Sequence, residues 1–233
     1  MRKPLRVLLL ADDCNPDWPS LPIVGYRMAR AIADHASVTL ATHVRNRPQL
    51  ERDGCGNAKI EYIDNEYVAR PMYNFGTWLR GGSELGWTTH IAACYPSYLA
   101  FEHEVWRRFG PALRAGGFDV VHRLTPMSPT LPSPLARTCP VPFVIGPLNG
   151  GLPWPAEYSE QRSQEKDWLV RLREAYRWLP FYRSTYERSA AILAAFRHTA
   201  EDLPESARGR IVSMPEVGIE PSLFRAPERR RTG

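Results

Sequence analysis

The sequence predicts an α/β fold, a doubly wound parallel sheet in one domain, on three observations. Its apolar runs are short and rich in β-branched residues, they are near-continuous, and helical patterns lie between them. A strand that is apolar at almost every position has both faces covered, as parallel strands do. Strand–helix alternation then favours right-handed crossovers within a single sheet.

The elements follow in order. Residues 6–11 (Arg6-Val7-Leu8-Leu9-Leu10-Ala11) make the first strand, and residues 23–35 a helix with Val24, Met28 and Ile32 on one stripe and Ala31 beside it. Residues 37–42 and, more weakly, 59–63 read as the second and third strands. A helical region over 88–115 is expected to kink or break at Pro96, whose ring removes a backbone donor. Residues 118–122 and 142–146 form strands four and five, and a second interrupted helical region spans 159–188, broken at Pro180. Residues 190–195 and 210–214 complete seven strands. The domain is expected to run over 1–214, with 215–233 a hinge, linker stub and basic tail.

Composition narrows the function classes. The 233 residues are 43% hydrophobic and 24% charged, the balance of an ordinary globular protein. Net charge is +5, yet the 30 basic residues are scattered among 25 acidic ones, and the dense run Arg229-Arg230-Arg231 reads as a frayed tail. No nucleic-acid partner is expected. The four cysteines show neither paired metal spacing nor a CxxC motif, which suits a reducing cytoplasm. After Met1-Arg2-Lys3 the apolar run is too short for a signal sequence and meets Asp12-Asp13 directly. No stretch approaches the roughly 20 apolar residues of a membrane helix.

In a doubly wound sheet, ligands bind beyond the carboxyl ends of the strands. The first such loop, residues 12–20, lacks the G-x-G-x-x-G turn of dinucleotide enzymes. It reads either as a proline-rich connection or, through Asn15, Ser20 and the helix start near Gly25, as a surface that meets sugar hydroxyls or an anion. Gly146-Pro147-Leu148-Asn149-Gly150-Gly151 closes the fifth strand and leads to Trp154. Paired glycines allow close approach to the main chain, Asn149 both donates and accepts, and Trp154 offers a flat face to a sugar ring; a stiff strand-to-helix turn is the plainer alternative. His122, which ends the fourth strand, is a catalytic candidate. An imidazole could orient or deprotonate a hydroxyl, while a hydrogen-bonded structural histidine is the commoner use of that place. The basic, aromatic stretch 168–188 reads as an amphipathic helix packed on the sheet or as a contact with an anionic lipid surface. HExxH, G-x-S-x-G and P-loop motifs are all absent.

Together these pieces resemble the N-terminal domain of family 4 (GT4-type) glycosyltransferases of the GT-B fold. The opening strand and helix with Met28-Ala29-Arg30-Ala31-Ile32-Ala33 look like that family's first βαβ unit, and Phe118-Asp119-Val120-Val121-His122 is similar to its fourth-strand signature. The GP-x-x-GG loop resembles one branch of the family, and residues 210–224 resemble the strand and hinge that lead into its second domain, with Glu216 and Gly218 at the hinge and cleft. Departures are visible too. Pro19-Ser20-Leu21-Pro22 stands where many members carry Gly-Gly, Leu124 where a functional histidine often sits, Phe196 for a serine and Val217 for an asparagine. Thr125 is therefore a candidate to reach the cleft.

The resemblance implies a Rossmann-like half of a GT-B enzyme involved in polysaccharide biosynthesis. Such enzymes transfer a sugar from a nucleotide-sugar cosubstrate to a saccharide or lipid-linked acceptor, usually with retention and without a required metal. It implies that this chain supplies the acceptor side, that the donor-binding domain with its basic pair and E-x7-E motif is missing from these 233 residues, and that the chain is expected to be incomplete and inactive alone. A cytoplasmic location, with at most peripheral membrane contact, goes with that expectation. The alternative is a non-catalytic saccharide- or partner-binding module; a nucleotide-binding protein of another class is disfavoured by the missing glycine fingerprint.

Overall fold

Strand β1 (Arg6–Ala11) is buried from Val7 onward, and its side chains divide between two cores. Leu8 and Leu10 join one core, while Val7, Leu9 and Ala11 join the other. Period-two alternation with apolar residues on both sides requires helices over both faces. The computed structural model describes residues 3–80, 87–150 and 175–218 and has that architecture.

Seven strands form one parallel sheet: β1, β2 (Ser37–His43), β3 (Lys59–Ile63), β4 (Val120–Thr125), β5 (Phe143–Leu148), β6 (Ala191–Ala194) and β7 (Ile211–Ser213). Their spatial order is β3-β2-β1-β4-β5-β6-β7, every neighbouring pair parallel. The order reverses between β1 and β4, which is where such sheets open a crevice at their carboxyl edge.

Helices α1 (Leu21–Ala33) and α2 (Arg47–Asp53) cover one face through Tyr26, Ala29, Ala33 and Leu50. The stripe expected at Val24, Met28 and Ile32 is only half-buried, and Ala31 is exposed; the deepest line runs one residue later. Helix α3 (Glu66–Arg80) starts where the Asp64 carboxylate accepts the Glu66 N–H at 3.0 Å, an acid at the positive helix end. Helix α4 (Trp87–Arg114) covers the other face with Tyr98, Phe101, Val105, Phe109 and Leu113. It continues through Pro96 and Pro111, so of the kink or break expected at Pro96 the break does not occur. Five large side chains at i+3/i+4 spacing each contribute roughly 1.5–3 kcal/mol of burial, enough to offset the lost backbone bonds. Short α5 (Leu135–Thr138), α6 (Tyr182–Arg188) and α7 (Arg197–Asp202) complete the described helices. Around Pro180 the interruption stands as expected, between a 3-10 turn at Ala175–Trp178 and α6. Among the described residues no helix is long and apolar enough to cross a membrane.

Candidate functional site

The crevice at the reversal point is built from the two strands that diverge there. Asp12 and Asp13 leave the end of β1, and Thr125 ends β4 directly across from Ala11. The Thr125 hydroxyl donates to Asp12 Oδ1 at 2.8 Å, with the Asp13 carbonyl also in reach at 3.2 Å, and it accepts the Asp13 N–H at 3.2 Å. Thr125 is thus fully buried and stitches the two strand ends together. Above it lies Gly25. A Cβ at that position would stand 2.6 Å from the Asp13 carbonyl oxygen and 3.0 Å from Thr125 Cγ2, so only glycine lets α1 settle onto the crevice floor. Because α1 begins at Leu21, Gly25 lies on the second turn, past the free N–H groups that could have met an anion.

Two adjacent carboxylates in this place disfavour each other's charge. Burial pushes the Asp12 carboxyl above its usual range, against the pull of Thr125 and the more distant Arg123. Burial and then the Asp12 charge push Asp13 up to about 7, partly opposed by Arg45. Asp13 sits in a mouth that is open to water yet walled by protein mass, so it is both accessible and poorly solvated. Its carboxylate receives no hydrogen bond among the described residues.

The flank toward β2 is braced. Asn46 donates to the Asp12 carbonyl (2.7 Å) and to Thr42 (2.9 Å). Asn15, an expected acceptor ligand, is fully buried and directs its amide to Asn46 and Gln49 (3.4 and 3.2 Å) while its carbonyl accepts the Asp17 N–H. Its polar atoms are engaged within the protein. Ser20 is exposed, at φ 71°, and ends the loop at the start of α1 without capping it through its side chain. His43 closes β2, accepting the Arg45 N–H on Nδ1, and Arg45 pairs with Glu66 at 2.5 Å.

The far wall is the β4–α5 connection, residues 126–134, and it is almost wholly buried. Four of its nine residues are prolines, so it brings carbonyls inside with few N–H groups of its own. Donors come from elsewhere. Fully buried Arg123 gives its guanidinium to the Leu131 and Ser128 carbonyls (2.5 and 3.3 Å), and the Tyr186 hydroxyl reaches the Pro129 carbonyl at 2.5 Å. The buried Glu102 carboxylate takes Ser133 Oγ at 2.5 Å, the Leu135 N–H at 3.0 Å and the Tyr98 hydroxyl. Burial raises the Glu102 pKa against those hydrogen bonds. An arginine with five donors and no acceptor suits a cage of carbonyls.

Asn149 and Gly150 line the same carboxyl edge from β5. The Asn149 N–H donates to the Met127 carbonyl (2.8 Å) and its side-chain amide to Glu216 Oε2 (2.5 Å), tying the hinge segment to this loop. Gly150, at φ 139°, offers its carbonyl to Thr199 at 2.8 Å. Gly218 is exposed with open space around it. Gly151 and Trp154 lie outside the described residues.

His122 does not end its strand. β4 continues three residues further, placing the ring roughly 10 Å below the carboxyl edge. It is buried on the face of its register partner Leu9, donates from Nε2 to the Gly146 carbonyl at 2.7 Å, and has its pKa lowered by burial. That geometry takes the structural alternative over a proton-transfer role. The residues overlooked in the sequence are Asp12, Asp13, Arg123 and Glu102. An acid pair directly after a buried strand was a signal for the first two; nothing in the sequence marked the others.

Among the described residues no group of three His, Cys, Asp or Glu gathers as a metal site. A separate pocket of about 350 Å³ at the β3 edge is lined by Tyr62, Asp64, Glu104, Arg107 and Arg108. Its arginines are already paired, Arg107 with Glu104 and Arg108 with Glu61.

No family model matches the sequence, and no curated protein matches it. Among solved structures, the chain is similar to the glycotransferase of kitacinnamycin, at 11% identity and a TM-score of 0.46. It is also similar to CalG4, the calicheamicin glycosyltransferase, at 12% identity and a TM-score of 0.44. Each match covers 98% of this chain and 56% of the other, so the chain spans little more than half the length of these structures.

Proposed function

We propose that this chain is the acceptor-side domain of a GT4-type glycosyltransferase, which transfers a sugar from a nucleotide-sugar donor to a saccharide or lipid-linked acceptor. The observation that supports the reading most is the acid pair Asp12–Asp13 at the sheet's reversal point, where dinucleotide enzymes carry a glycine turn. Two carboxylates repel a diphosphate, which disfavours the donor's nucleotide here. They suit hydroxyls, which need acceptors, and a sugar presents several. In this reading Asp13 accepts the hydrogen bond of the acceptor hydroxyl, and Asp12, fixed by Thr125, holds the loop in place. Asn149 and Glu216 line the far side of the same edge. A separate donor-binding domain carries the diphosphate contacts, no metal takes part, and the enzyme works in the cytoplasm, at most touching the membrane surface.

Saturation-transfer NMR with a panel of oligosaccharides and free UDP tests the crevice. A saccharide signal is expected that Asp13→Asn weakens about tenfold or more, since a charge-assisted hydrogen bond contributes about 1.5–3 kcal/mol. UDP is expected not to compete. A nucleotide that displaces saccharide from the Asp13 site, or no saccharide signal at tens of millimolar, would overturn the reading.

A further inference from the structure

The carboxyl edge of the sheet does not stop at the crevice. Three strands along from β1, β6 ends at Ala194 and the chain turns through Ala195 and Phe196 into α7. Both neighbouring strands pin that turn. The Ala195 N–H donates to the Leu148 carbonyl of β5 at 2.9 Å, and the Met214 N–H, just past β7, donates to the Ala194 carbonyl at 2.9 Å. A polar bridge crosses the same place. Asn149 follows β5 and Glu216 follows β7, so their 2.5 Å hydrogen bond spans the end of β6, which lies between those strands. Phe196 leaves β6 at that crossing.

The Phe196 ring is 43% exposed yet fixed in orientation, stacked on His198 with 5.2 Å between centroids and 9° between planes. A ring already held by its own packing loses little freedom when a flat ligand settles on it. Glu216 and Asn149 are half-buried, and among the described residues neither Glu216 Oε1 nor the Asn149 side-chain carbonyl accepts a hydrogen bond. An aromatic face with acceptors at its margin matches a pyranose, which has an apolar C–H face and a rim of hydroxyls. A nucleobase would also stack, but it brings phosphates that the Glu216 carboxylate repels.

We propose that Phe196 is the stacking platform of a second saccharide subsite, with Glu216 and Asn149 holding the hydroxyls of the stacked ring, so that the acceptor is an oligosaccharide. The proposal rests on the acceptor-side reading of the Asp13 crevice and adds a chain length to it. Asp13 and Phe196 each stand two residues beyond the ends of their strands. Three inter-strand spacings separate them, about 14 Å, the span of about three linked pyranoses. A first ring at Asp13 therefore places the third on Phe196.

Saturation-transfer NMR on the 233-residue chain tests this with glucose, cellobiose, cellotriose and cellotetraose, and with the matching maltose series. In a series that binds, affinity is expected to stay level from one ring to two and to rise about tenfold at three, the gain from covering a large aromatic side chain. Saturation on the third ring should be strongest at the protons of its C–H face. Phe196→Ala and Phe196→Leu are expected to remove the step at three rings and leave glucose binding unchanged, whereas Phe196→Trp keeps the step. Asp13→Asn should weaken every member, glucose included. A wild type with no step at three rings, or a leucine variant that retains it, overturns the platform and leaves the Asp13 reading standing. Loss of third-ring saturation on adding uridine monophosphate also overturns it, since the ring would then serve a base. No saccharide signal in either series overturns both readings. Because the step is read first in the wild type, a variant that fails to fold leaves the test decisive.

Discussion

At Gly25 there is no room for a methyl group, because the nearest atom to it would be a backbone carbonyl that cannot rotate aside. Gly25→Ala is expected to cost about 1–3 kcal/mol through overpacking, measured as a lower urea midpoint at unchanged m-value. The same substitution pushes Asp13 outward, so saccharide affinity and stability should fall together. Asp13 makes a separate prediction about pH. Its folded pKa, about 7, lies above the unfolded value of 3.8, so the native state holds the proton more tightly. Between about pH 4 and pH 7 the folded chain therefore carries more protons than the unfolded chain, and this group's contribution to stability falls as pH rises. Asp13→Asn removes that slope. The variant should melt above the wild type at pH 7.5 and level with it at pH 4, by a small margin because Asp13 is open to water. Scanning calorimetry at the two pH values decides it, and a wild-type advantage at pH 7.5 would contradict the assignment.

Among the elements, the connection 126–134 shows how a segment poor in N–H groups can be buried at all. Its carbonyls are met by Arg123 and Tyr186, and its exit by Glu102, so strand β4, helix α4 and helix α6 each contribute a clamp. Arg123→Met keeps the volume but leaves the Leu131 and Ser128 carbonyls unpaired and removes the cation nearest Glu102 and Asp12. A loss of about 3–5 kcal/mol is expected in urea unfolding, as for other broken buried charge networks. Arg123→Lys should recover only part of it, because a point charge cannot span both carbonyls. This clamp was illegible in the sequence: Arg123 sits in an apolar strand, and its partners are backbone atoms five and eight residues on. The strands themselves were legible because burial on both faces writes a continuous apolar run. Their ends were not. β4 begins two residues later and runs three residues further than expected, since its polar residues Arg123 and Thr125 broke the apolar pattern while remaining buried. The crevice was legible as a place, from the rule of carboxyl ends, but not as a set of side chains. Asn15, Thr125 and His122 carry suitable chemistry and direct it inward, a choice made by contacts distant in sequence.

For the molecule as a whole, a sheet that does not close leaves two edges, and the two are treated differently. The β3 edge carries Lys59 and Glu61, which pair at 2.8 Å, with Arg108 also on Glu61, and charges of this kind discourage pairing with another chain. The β7 edge has no such guard among the described residues. Val212 is 50% exposed in the middle of that short strand, and Phe196 and Val217 are exposed close by in sequence to β6 and β7. A net charge of +5 spread over 233 residues supplies only weak repulsion at physiological salt. The β7 edge should therefore drive self-association as concentration rises. Val212→Lys places a charge on the edge without removing a buried contact, so its effect on thermal stability should stay within about 0.5 kcal/mol. Static light scattering across a concentration series separates the terms. The wild type is expected to gain apparent mass, and the lysine variant to stay monomeric over the same range with the same melting temperature. Equal association of both proteins would place the adhesive surface elsewhere, and a monomeric wild type would show that three edge residues are too short a template to recruit a second chain.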